Sequence, residues 1–110
     1  MRIEIQTSDI MLNEALITHV EQRLLFALGR FQARVVKIAV HLSAINCPAD
    51  AEDKHCHLEV RLHGLPNLVV ADTETDLYVA VDRAAERAGR TLGRQLRQAG
   101  DVFDNRSAWG

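Results

Sequence analysis

Polar and apolar positions alternate from the first residues of the chain. In residues 2–6, RIEIQ, Ile3 and Ile5 fall on one side and Arg2, Glu4 and Gln6 on the other, which is the period of a half-buried strand. Thr7, Ser8 and Asp9 then supply turn chemistry. The period next becomes helical. Leu16, Val20, Leu24, Ala27 and Phe31 recur at steps of 4, 4, 3 and 4, predicting an amphipathic helix of about four turns. Asn13 is its expected N-cap, Glu14 matches the helix dipole in the first turn, and Gly29 is its expected stop. Leu25 and Phe26 lie outside the stripe.

Residues 34–43, RVVKIAVHLS, are rich in β-branched side chains. A strand here is expected to turn Val36, Ile38, Val40 and Leu42 inward and Lys37, Ala39 and His41 outward. Residues 44–54, with Pro48, Asp50, Glu52 and Asp53, are expected to form a loop. Residues 55–63, HCHLEVRLH, alternate again, with Cys56, Leu58, Val60 and Leu62 opposite His55, His57, Glu59, Arg61 and His63. Gly64-Leu65-Pro66-Asn67 is the expected hairpin turn, and residues 68–73 a last short strand. Residues 76–98 predict a second helix, with Thr73 or Thr75 as its cap. At 100° per residue, Leu77, Val81, Ala84, Ala88, Leu92 and Leu96 share one side of it.

The element order is β-α-β-β-β-α. A strand, a helical crossover and a parallel strand should be right-handed, and the next two strands form a meander. The expected fold class is α+β, a two-layer sandwich with both helices on one face of a four-stranded sheet. Residues 1–98 are expected to form a single domain, with residues 99–110 as a flexible tail.

Composition narrows the function classes. The chain has 110 residues, 47% hydrophobic and 25% charged, as in soluble globular domains. No apolar run approaches the roughly 18 residues of a membrane span. The alternating N-terminus does not resemble a signal peptide, so a cytoplasmic protein is expected. Two cysteines, Cys47 and Cys56, do not make a disulfide framework and are read as free thiols.

The net charge of −2 conceals an asymmetry. Residues 83–98 carry Arg83, Arg87, Arg90, Arg94 and Arg97 against Glu86, a balance of +4, while the rest of the chain is at −6. The arginines step by 4, 3, 4 and 3, within about 80° of the helix and opposite its apolar side. One reading is a solvated face. However, Glu86–Arg90 is the only i,i+4 ion pair within residues 83–98, and Arg83–Arg87 and Arg90–Arg94 are like-charge neighbours. Guanidinium binds phosphate in a forked geometry that lysine lacks. The stripe therefore favours a phosphate-rich partner, recognised by backbone shape and charge as in structured RNA. No aromatic residue alternates with these arginines, so base stacking is not indicated. Replacing Arg87, Arg90 and Arg94 by Ala is expected to weaken docking and leave the fold intact.

Several segments resemble the ribosome hibernation promoting factor family, which includes the ribosome-associated translation inhibitors. The resemblance covers about residues 1–98. Its strongest part is Asp76-Leu77-Tyr78-Val79-Ala80-Val81-Asp82, followed by a basic helix in which Arg87, Arg90 and Arg94 stand at basic positions. Asp9-Ile10 ahead of Asn13-Glu14-Ala15-Leu16, and Gly64 in the hairpin turn, also fit. In this chain Phe26 stands where a basic residue is expected, and Ala84 and Ala88 replace bulkier core residues.

The resemblance implies a bacterial, cytosolic, non-enzymatic regulator that needs no cofactor. It would bind the small ribosomal subunit and its rRNA in the mRNA and tRNA channel and hold ribosomes inactive under stress. The implied rRNA contacts are Arg83, Arg87, Arg90, Arg94 and Arg97, with Arg23 and Arg30 from the first helix. The chain would be a short form of the family.

Other chemistries have less support. His55 and His57 share a strand face, with His41 on a neighbouring strand, but no CxxC or HExxH accompanies them. No P-loop, GxSxG or dinucleotide fingerprint is present. Asp72, Glu74, Asp76 and Asp82 read as helix N-terminal acids rather than an active site. Tyr78 is expected to pack its ring at the edge of the core. The alternative function is a protein-interaction module, in which Leu25, Phe26 and the open sheet face form a homodimer.

Overall fold

A computed structural model describes residues 1–46 and 52–98 of the chain. The order is β1 (Arg2–Ser8), α1 (Glu14–Leu28), a single 3-10 turn (Gly29–Phe31), β2 (Val35–Asn46), β3 (Glu52–Leu62), β4 (Leu65–Glu74) and α2 (Leu77–Gln98). The strands form one sheet in the order β1-β2-β3-β4. β1 and β2 are parallel and the other pairs antiparallel, as the crossover and meander require. The fold is the expected α+β sandwich.

Register explains which strand face is buried. Ile3 pairs with Ile38, Ile38 with Val60, and Val60 with Leu68; Ile5, Val40, Leu58 and Val70 form the next row. These residues, with Leu42 and Cys56, meet Leu16, Val20, Leu24 and Leu28 of α1 and Val81, Leu92 and Leu96 of α2 in one core. The opposite sheet face is polar over β1, β2 and β3 and ends on Val69 and Ala71 of β4. There Gln6, His41 and His57 form one row, and Glu4, Ala39 and Glu59 another.

The structure corrects several boundaries. The register shifts between Val35 and Lys37. This bulge buries Val35 and leaves Val36 exposed, against the expectation that Val36 points inward. β2 reaches Asn46 and β3 begins at Glu52, so the loop expected over 44–54 is shorter; Cys47, Pro48 and Asp50 lie outside the described residues. The hairpin turns at His63–Gly64, with Leu62 paired to Leu65, so Pro66 and Asn67 already belong to β4. Gly64 supplies the positive φ, 72°, that the turn needs. α1 ends at Leu28, with the expected stop at Gly29, so Phe31 of the apolar stripe lies beyond it. Gly29 caps it in right-handed geometry, φ −58°, and the chain continues into the 3-10 turn.

Both helices start on side-chain caps. Asn13 Oδ1 accepts from the Leu16 amide at 2.8 Å, as expected. For α2 the cap is Asp76, whose Oδ1 accepts from the Tyr78 amide at 2.8 Å, rather than Thr73 or Thr75. The buried side of α2 includes Ala80, Ala84, Ala85, Ala88, Gly89 and Gly93. These small side chains let α2 approach α1 and the sheet closely, so the alanines at 84 and 88 are matched by tight packing.

Candidate nucleic-acid interface

α1 and α2 lie side by side and run in the same direction. His19 of α1 meets Asp82 of α2, Ala27 meets Gly89, and Phe31 meets Gly93. The two helix C-termini therefore share one end of the molecule. Arg97, in the last turn of α2, is favoured there by the helix dipole.

All five arginines of α2 are exposed, but their surroundings divide them. β4 turns back into α2 through a short connection, so its helix-side residues line up beside the first turns of the helix. Alternation carries Leu68 and Val70 into the core and places Asp72 and Glu74 on the same face. Arg87 donates to Asp72 Oδ1 at 3.2 Å and to the Ala71 carbonyl at 2.6 Å. Arg83 pairs with Glu74 at 3.4 Å. Arg90 is only 4.0 Å from Glu86, an exposed pair of little energetic weight. No carboxylate among the described residues pairs with Arg94 or Arg97.

The two arginines expected from the first helix also differ. Arg23 is committed to Asp82 at 3.1 Å, which also bonds His19 Nε2 at 2.7 Å. Tyr78, expected at the edge of the core, is 37% exposed and sets its ring edge-on to His19 instead, centroids 4.7 Å apart. Arg30 lies in the 3-10 turn, its guanidinium 4.7 Å from the Phe31 ring centroid. Arg30 Nη2 and Arg97 Nη1 both reach 3.7 Å from the point that a Cβ on Gly93 would occupy. The structure thus gathers Arg30, Arg94 and Arg97, with Arg90 above them, at the shared C-terminal end. Arg23, Arg83 and Arg87 are set against the protein's own acids.

Asp72 and Glu74 do not cap α2, as their place near its start suggested. Asp72 is a half of the Arg87 bond, with its side chain 10% exposed. Its Oδ2 is buried without a donor. A proton on Glu74 lets that residue donate to Asp72, and this bond, more than burial or the Asp72 charge, raises the Glu74 carboxyl above its ordinary range. Arg83 and Arg87 oppose the shift. Arg87 is therefore exposed, as expected, but bonded rather than free. The strand alternation Leu68-Val70-Asp72-Glu74 was the sequence signal for this.

Leu25 is 58% and Phe26 85% exposed. On the outer sheet face His41 is directly opposite His57, Ser8 Oγ bonds His41 Nε2 at 2.9 Å, and His55 Nδ1 bonds Thr73 Oγ1 at 2.8 Å. Among the described residues, no three His, Cys, Asp or Glu side chains converge as metal ligands. No described helix is long and apolar enough to cross a membrane.

Residues 3–99 match the family described as sigma 54 modulation protein / S30EA ribosomal protein. The chain belongs to this family. The resemblance to hibernation factors seen in the sequence is borne out, and the protein is a ribosome-associated modulation protein. Its fold is similar to the N-terminal domain of Protein Y from Thermus thermophilus, with a TM-score of 0.72 and 25% identity, covering 86% of this chain and 99% of that one. It is also similar to a ribosomal subunit interface protein from Coxiella burnetii, with a TM-score of 0.73 and 19% identity, covering 88% and 99%. No curated protein matches it in sequence.

Proposed function

We propose that this protein holds ribosomes inactive by occupying the mRNA and tRNA channel of the small subunit, in the cytoplasm where ribosomes work. The observation that carries this reading is the cluster of Arg30, Arg94 and Arg97 at the shared helix ends, without carboxylate partners among the described residues, in a chain of a ribosomal family. A subunit interface, the place named for the Coxiella relative, is a surface of phosphate-rich RNA. Guanidinium groups on a rigid helix meet it without reorganisation. Occlusion needs no bond to be made or broken, so the action requires neither catalysis nor a cofactor.

Arg30, Arg90, Arg94 and Arg97 supply the leading rRNA contacts. Arg83 and Arg87 join them only by giving up Glu74 and Asp72, and Arg23 by giving up Asp82. Co-sedimentation with small subunits across a salt series tests this. The wild type should lose affinity steeply with salt. Arg94→Ala/Arg97→Ala should flatten the slope of log K against log salt by roughly 0.7–0.9 per contact removed. Wild-type affinity and slope in that variant would overturn the reading.

A further inference from the structure

Between α1 and α2 lies an open groove of about 330 Å³, walled by Phe26, Arg23, Arg30 and Arg90 and floored by the small residues Ala27, Ala85 and Gly89. That volume is at the lower end of ligand pockets. It suits one flat ring and the group beside it, not a folded segment. Phe26 stands at its edge, 85% exposed, with the Arg23 guanidinium 5.8 Å from its ring centroid. The ring is not part of the buried core. The arginines of α2 have no aromatic residue among them in sequence, but the fold brings one to them from α1.

We propose that this groove takes a single unpaired nucleotide of ribosomal RNA, its base stacked on Phe26 and an adjacent phosphate held between Arg30 and Arg90. The proposal rests on the RNA-docking reading above and adds a stacking site to it. Charge favours this occupant. Of the two acids in the groove, Asp82 is already answered by His19 and Arg23, and Glu86 meets only Arg90 at 4.0 Å. Arg30 has no carboxylate among the described residues and joins the groove to the Arg94 and Arg97 cluster through its approach to Arg97. Splayed bases stacked on aromatic rings, with cations on the flanking backbone, are the usual way proteins read unpaired RNA.

A second copy of this chain fits the patch less well. Leu25 and Phe26 alone offer little of the apolar area that a stable dimer buries. A two-fold contact centred there would also bring Arg23, Arg30 and Arg90 near their own copies.

Small-subunit binding by the full chain across a salt series separates the outcomes, using Phe26→Ala, Phe26→Trp and Phe26→Leu beside Arg94→Ala/Arg97→Ala. Stacking carries no charge, so Phe26→Ala should lower affinity about tenfold at every salt concentration, with the slope unchanged. Phe26→Trp should restore binding and Phe26→Leu should not. If Phe26→Ala binds like wild type while the double arginine variant fails, the stacking site is wrong and RNA docking stands. If neither variant weakens binding, the docking reading itself fails. Rescue by Phe26→Leu would instead assign the groove to an apolar protein contact. Light scattering that shows a wild-type dimer and a Phe26→Ala monomer would assign it to self-association. Either result overturns the nucleotide site.

Discussion

Gly89 of α2 lies against the backbone of Ala27 in α1. A Cβ added at Gly89 would stand 2.8 Å from the Ala27 carbonyl oxygen, closer than real Cβ atoms come. Backbone cannot rotate aside as a side chain can, so the helices must part. Four residues on, the situation differs. A Cβ at Gly93 would find Phe31 Cζ at 3.5 Å and nothing nearer, which is ordinary contact. Alanine is favoured over glycine inside a helix by about 1 kcal/mol. Gly93→Ala should therefore stabilise the protein by about 0.5–1 kcal/mol. Gly89→Ala should destabilise it by about 1–2 kcal/mol, because overpacking exceeds the propensity gain. Urea unfolding of the two variants checks the opposite signs; equal gains would mean that the helices are not locked at Gly89.

Arg87→Ala and Arg90→Ala remove the same charge from the same helix face, and their costs should differ. Arg87 bonds the nearly buried Asp72 and the Ala71 carbonyl. Without it, and with Glu74 ionised, Asp72 keeps no donor to either oxygen, as Oδ2 already has none. Leaving a buried acceptor unpaired costs about 1–2 kcal/mol. Arg90 sits in the open, so its loss should stay within about 0.5 kcal/mol. Thermal unfolding of the pair would show the difference, and equal melting temperatures would count Arg87 among the decorative charges.

Cys56 should set an alkaline limit on stability. Its thiol is fully buried opposite Asp72, and burial first, then the Asp72 charge, pushes its pKa from 9.0 up to about 12. Below pH 9 the thiol is protonated in folded and unfolded chains alike, and the full stability is present. Between 9 and 12 the unfolded chain releases a proton that the folded chain retains. Stability then falls with rising pH, by at most about 1.4 kcal/mol per unit. Denaturant unfolding at pH 8, 9, 10 and 11 measures the slope, and Cys56→Ala should flatten it. An identical slope in that variant would place the titration elsewhere.

The strands were the most legible part of the chain. Cys56, Leu58, Val60 and Leu62 alternate in the sequence and all four are buried, because a sheet with one covered face imposes that period directly. The Val35–Val36 bulge was not legible. Two adjacent valines satisfy a strand in either register, and only pairing with β3 decides between them. The arginine stripe shows the same limit at the site. Spacing alone placed all five guanidinium groups on an open face. Their division depends on where β4 runs beside α2, and so on which acids lie within reach. The groove at Phe26 depends on the packing of two helices distant in sequence, which no local pattern encodes.

The Glu74–Arg83 pair allows the stripe to be tested by gain rather than loss. Glu74→Gln keeps a side chain that can donate to the orphaned oxygen of Asp72, as a protonated Glu74 would, and removes the charge that holds Arg83. Folding stability should hold or rise slightly, since a surface ion pair contributes no more than about 1 kcal/mol. Arg83 then becomes available to phosphate without first giving up a carboxylate. Affinity for small subunits should rise by no more than about fivefold, and the salt slope should steepen by roughly one contact. Arg83→Ala in the same background should abolish both changes. If Glu74→Gln leaves affinity and slope where they were, Arg83 lies off the docking surface. The contact would then be confined to the C-terminal end of α2, where Arg97 stands beside Arg30 and Arg94 lies one turn before it.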